Sequence, residues 1–178
     1  MQWIWHNRND LTTLIVSGRK AIGKVVHYSQ KNNNYCTYFA VAGCLAFNTG
    51  KELTQEEVLN LAQQHTIAST LQTAKKLKET LNFSIYQVDL TDWLRRWTNY
   101  AIAVSFSAPP ELYLDGQDGK VDLEYSREIG KWHAMWLYRR NKKIILVNSW
   151  WLKEIDITGQ IMNMLKNKVI NKEGIILA

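Results

Sequence analysis

The stretch that decides the fold is QKNNNYCTYFAVAGC, residues 30–44. A glutamine precedes a cysteine by six positions, and the cysteine opens an uncharged apolar run. From there the apolar residues fall at helical spacing, with Cys36, Phe39, Ala40, Gly43, Cys44 and Phe47 on one face. Val41, Ala42, Leu45 and Ala46 make the other side apolar as well, and a helix apolar nearly all round belongs in the middle of a core. Asn48-Thr49-Gly50 should end it. Cys36 thus stands at the start of a central helix, where unpaired backbone N–H groups and the helix dipole favour thiolate over thiol.

Outward from this helix the patterns are mostly local. LTQEEVLNLAQQH (53–65) carries a capping box, Thr54 with Glu57, and a staple pair, Leu53 with Val58. STLQTAKKLKETL (69–81) reads as a third helix with Leu71, Ala74, Leu77 and Leu81 inward. FSIYQV (83–88) alternates as a short strand, TDWLRRW (91–97) makes a helical turn or two, and YAIAVSFSAPP (100–110) is a buried strand stopped by two prolines. Asp115, Asp118, Asp122 and Glu124 lie in a Gly- and Asp-containing stretch whose spacing misses the EF-hand pattern, so an acidic surface loop is expected there. HAMWLYRRNKKIILVNSWW (133–151) forms two strands around a polar turn, TGQIMNMLKNKV (158–169) is an amphipathic helix, and GIILA (174–178) closes as a strand. Helices first and strands later is the α+β order. The expectation is one domain over 1–178: an N-terminal arm with Trp3 and Trp5 (1–29), a mainly helical lobe (30–98) and a mainly β lobe (99–178).

The chemistry-bearing residues sit in two of these elements. If the polar turn of the hairpin is symmetric about Arg140 and Asn141, His133 lies directly opposite Asn148, with Cβ atoms roughly 4.5–5.5 Å apart. An amide oxygen can then hold an imidazole N–H and fix its tautomer, the third-group role in a nucleophile–base–orienter arrangement. Cys36 is the candidate nucleophile, and Gln30 together with the Cys36 N–H can hold an oxyanion beside the sulfur. Taken singly, each of these residues has a plain packing or turn reading; their order and spacing carry the functional one.

Glutamine, cysteine six later, Phe39 three after that, then His133-Ala134 and Asn148-Ser149-Trp150 resemble the motif set of the papain-like cysteine proteases. ELYLDG (111–116) is similar to the Leu-Tyr-x-x-Gly segment that lies between that family's lobes. The interval of 97 residues from Cys36 to His133 is nearer to compact bacterial members such as the staphopains, or viral ones, than to papain. The resemblance implies a helical lobe whose central helix carries Cys36 and an antiparallel β lobe carrying His133 and Asn148. It implies a thiol peptidase with Cys36, His133 and Asn148 as triad, Gln30 in the oxyanion hole, and Trp150 shielding the Asn–His hydrogen bond. Peptide or protein is the implied substrate, with no metal and no cofactor. Against the family pattern, the cysteine usually found beside the nucleophile is missing, Trp151 stands where glycine is usual, and no paired glycines occur between 50 and 70. Two other readings stay open: a peptidoglycan amidase or endopeptidase of the CHAP type, which YCTYFA also resembles, and a catalytically silent structural or cargo protein that keeps the fold.

Composition bounds the rest. The chain has 178 residues, 46% of them hydrophobic, enough to bury a core. No apolar run is long enough for a membrane span. The N-terminus does not read as a secretory signal, which favours a cytoplasmic or virion-associated protein, and no pro-segment of ordinary length precedes Gln30. Cys36 and Cys44, two turns apart on one helix at roughly 12 Å, should both be free thiols. A net charge of +6, with basic groups at 75–78, 95–96 and 139–143, would suit an anionic partner such as cell-wall polymer or nucleic acid.

Overall fold

The computed structural model describes residues 10–29, 35–64, 69–106, 133–149 and 153–178. Trp3, Trp5, Gln30, Trp150, Trp151, the 111–116 segment and the acidic stretch around Asp115 to Glu124 therefore lie outside the described residues. The elements run in the order α1 (Leu11–Val16), α2 (Cys36–Thr49), α3 (Gln55–Gln64), α4 (Thr70–Lys78), β1 (Ile85–Asp89), α5 (Leu90–Arg95), β2 (Ile102–Phe106), β3 (His133–Arg140), β4 (Lys143–Asn148), β5 (Lys153–Asp156), α6 (Ile161–Lys166) and β6 (Glu173–Leu177). The protein is α+β, with one six-stranded sheet in the order β1-β6-β2-β3-β4-β5 and every pairing antiparallel. β1, from the stretch 30–98, pairs with β6, from the stretch 99–178, so both stretches contribute to one sheet.

α2 begins at Cys36 and is buried at every residue from Cys36 to Asn48, as its unbroken apolar surface requires. Gly50 stops it in the left-handed conformation (φ 75°), its N–H donating to Ala46 O at 2.9 Å. The capping box at α3 is formed in both directions, Glu57 N–H to Thr54 Oγ1 at 3.1 Å and Thr54 N–H to Glu57 Oε2 at 2.7 Å. Ser69 and Gln72 make a second box at α4.

The sheet has a core on each face. On one side α2 and α4 press Val41, Cys44, Leu45, Phe47, Ala74 and Leu77 onto Trp136, Tyr138, Ile145 and Val147. On the other, Leu11 and Leu14 of α1, Trp93 of α5, and Ile161 and Met164 of α6 cover Ile102, Val104, Met135, Leu137 and Leu146. β3 is thus buried on both sides, which is why HAMWLY reads as a continuous apolar run instead of alternating. α3 packs on the outer side of α2 through Val58, Ala62, Phe39 and Tyr38.

Three contacts fix how these layers meet. Gly43 lets α2 approach β3 closely: a Cβ there would stand 2.3 Å from Trp136 Nε1. Asn48, at the last turn of α2, bridges strands that have splayed apart. Its Nδ2 donates to Ala101 O (3.0 Å) and Leu177 O (2.9 Å), and its Oδ1 accepts from Ala101 N (2.7 Å). Arg139 stacks on Trp93, 4.1 Å from the ring centroid, and donates to the carbonyls of Leu94 and Thr98, both at 2.7 Å, closing the C-terminal end of α5.

The hairpin differs in one respect from the symmetric turn about Arg140 and Asn141. The turn residues are Asn141 and Lys142, both at positive φ (50° and 66°), the arrangement of a type I′ hairpin. Arg140 opposes Lys143 and Trp136 opposes Val147. Continued by one residue, this register sets Asn148 opposite Met135, two positions from His133.

Candidate active site

A shift of two residues leaves a side chain on the same face of a sheet, whereas a shift of one would reverse it. His133 and Asn148 are therefore diagonal neighbours on one face, and the imidazole Nε2 lies 3.0 Å from Asn148 Oδ1. An amide oxygen only accepts, so Nε2 carries the proton. In the neutral ring this leaves the Nδ1 lone pair as the base. His133 opposes the buried Phe106 on β2. His133 and Asn148 are 1% and 2% exposed.

Cys36 is the first residue of α2, and it packs on Ala40 and on Ala134, the residue that follows His133. Side chains alternate along a strand, so Ala134 faces α2 while His133 faces the other side with Phe106 and Met135. Among the described residues Cys36 and His133 share no hydrogen bond of their own; the first peptide of β3 joins them. Catalytic hydrogen bonds are often long until substrate binds.

The electrostatics of the two groups run against the thiolate expected at a helix start. Burial pushes the Cys36 thiol up, while the backbone N–H groups of Ala134, Thr37 and Cys36 itself pull it down by less. Burial pulls His133 down to about 4, with the Asn148 hydrogen bond acting in the opposite direction. Each group alone is held neutral. Cys44, in the middle of the same helix, is fully buried and its thiol is pushed up to about 12. Both cysteines are free.

Gln30 and Trp150 lie outside the described residues, but the chain leading to Gln30 is tied down. Gln55, at the start of α3, clasps the Ser29 backbone from both sides, accepting from Ser29 N at 2.9 Å and donating to Ser29 O at 2.7 Å. Tyr28 donates its hydroxyl to Leu53 O at 2.5 Å and lays its ring against Phe39, centroids 5.9 Å apart. Phe39 sits one turn after Cys36, so the position shared with the papain-like motif does a packing job that links this segment to the cysteine helix. Gln55 and Phe106 carried no motif in the sequence; only their partners across the fold reveal them. Among the described residues no group of three or more His, Cys, Asp or Glu side chains could hold a metal, and no helix is long and apolar enough to cross a membrane.

No protein-family model matches this chain, and no curated protein matches it either.

Proposed function

We propose that the protein is a papain-like cysteine peptidase. The observation that carries this reading is the His133 Nε2–Asn148 Oδ1 contact of 3.0 Å, one residue from the Ala134 N–H that reaches the thiol of Cys36 at the start of a buried helix. In the proposed reaction the imidazole, which lies across the first peptide of β3 from Cys36, reaches round the start of the strand, and Nδ1 takes the Cys36 proton as Sγ attacks a peptide carbonyl. The tetrahedral oxyanion is held by the Cys36 N–H and Gln30. The imidazolium then protonates the leaving amine, giving a thioester. Water, deprotonated by His133, cleaves the thioester and returns the thiol, while Asn148 keeps the ring oriented throughout. Trp150, two positions after Asn148 in the sequence, is the shield of that hydrogen bond in this reading.

The test is turnover of a mixed peptide library, with covalent labelling by an epoxide thiol-protease inhibitor. Cleavage and labelling, both lost in Cys36→Ala and reduced in His133→Ala, support the reading; absence of both across neutral pH refutes it. The burial of Cys36 and His133, each held neutral, favours a second reading, a silent protein that keeps the fold. That reading expects Cys36 to alkylate only above the ordinary thiol pKa of about 8.5, at a rate unchanged in His133→Ala.

A further inference from the structure

We propose that the groove between α6 and the start of β6 binds an acidic polypeptide segment anchored by an apolar side chain. This goes beyond the peptidase reading and does not rest on it. The groove has a volume of about 660 Å3. Its floor is Leu165, Ile170 and Met162, the last 60% exposed, and its polar rim includes Lys166, Lys168 and Lys172. Among the described residues its lining holds three lysines and no carboxylate. Asp89 stands 3.7 Å from Lys172 Nζ in an ion pair whose lysine is 76% exposed. Such a pair contributes little and yields to another carboxylate.

Shape and chemistry select the occupant. A bilayer takes up protruding apolar surface, whereas a concave trough presents its apolar floor to a chain that reaches into it. Among the described residues no aromatic side chain lines the groove, so none of them offers the stacking platform used for nucleic-acid bases. An apolar floor edged by cations instead matches a leucine- or isoleucine-type anchor with Asp or Glu on both sides. The groove also opens at the end of the sheet that carries His133: Ile170 bridges Phe106, and Phe106 opposes His133. Two strand spacings, about 10 Å, separate the floor from the histidine backbone.

The experiment is fluorescence anisotropy of the intact protein with a short labelled peptide holding a Leu-Leu pair flanked by Asp and Glu. Mass spectrometry confirms that the peptide stays whole. Expected are saturable binding that weakens severalfold between about 50 and 300 mM salt, a loss of roughly tenfold in the Lys166→Glu/Lys172→Glu double variant, and a smaller loss in Met162→Gln. The variants should keep the wild-type circular dichroism and Tm, since all three side chains are exposed. Equal binding by the double variant overturns the proposal. So does equal binding of a peptide with both leucines replaced by serine, which would mean charge alone. Tighter association with phosphatidylserine vesicles than with the peptide, lost in the same variants, would make the occupant a membrane and overturn it as well.

Discussion

The depressed basicity of His133 should make the protein acid-sensitive through one identifiable group. In the unfolded chain an imidazole titrates near 6.5; in the fold His133 titrates near 4, because burial opposes its charged form more than Asn148 supports it. Between those values the unfolded chain binds the proton and the folded chain does not. Stability is therefore full at neutral pH and falls as the pH drops from 6.5 towards 4. The loss from this group at pH 4 is about 3 kcal/mol, roughly a 6–12 °C decrease in Tm for a chain of this size. Urea unfolding of wild type and His133→Gln at a series of pH values isolates it, since all carboxylates are common to both. The wild-type curve should fall more steeply by about that amount, and the NMR titration of the imidazole should be absent near pH 6.5. Parallel curves for the two proteins, or a His133 midpoint near 6.5, would refute the burial argument. A titration well above neutrality would instead point to a preformed thiolate–imidazolium pair.

Other contacts give sharper local outcomes. Gly43→Ala places a methyl group 2.3 Å from Trp136 Nε1 and should destabilise by about 1–3 kcal/mol in urea unfolding; Trp136→Phe in the same chain should recover part of that loss, and strict additivity would argue against the contact. Asn48→Ala strands the buried Ala101 N and Leu177 O, leaves Ala101 O with only the Cys44 thiol as donor, and should cost about 3 kcal/mol by the same measurement. Iodoacetamide should label Cys36 alone in the folded protein and both cysteines in urea, because Cys44 is fully buried with its thiol raised to about 12; native labelling of Cys44 would mean that α2 opens.

What the sequence discloses and what it conceals divide along the range of the interactions. α2 was legible because an apolar surface all round has one physical meaning, and α3 because Thr54 and Glu57 are three residues apart. The hairpin was legible as a pair of strands, but its turn was not. Arg-Asn and Asn-Lys are both weak signals, and only the backbone, left-handed at Asn141 and Lys142, selects between them. The pairing of His133 with Asn148 tolerated that error because it was two residues and kept the face. α1 carries its cap on Asp10, which accepts from Thr13 N at 3.0 Å, yet six residues are too few for a periodic pattern. β5 was missed for the same reason at four residues. The neutral state of Cys36 and His133 has no local signature at all. It follows from how α2, β2 and β3 bury the pair, which spacing cannot express.

The place of β6 has a consequence for synthesis. It is the last strand in the sequence, yet it lies inside the sheet between β1 and β2, matching Ile85–Asp89 along its whole length and meeting β2 at Ala103. Until Glu173–Leu177 has been made, β1 and one edge of β2 lack the neighbour that β6 gives them in the fold. The nascent chain must keep these apolar edges from pairing with other molecules until Glu173–Leu177 emerges to fill the gap between them.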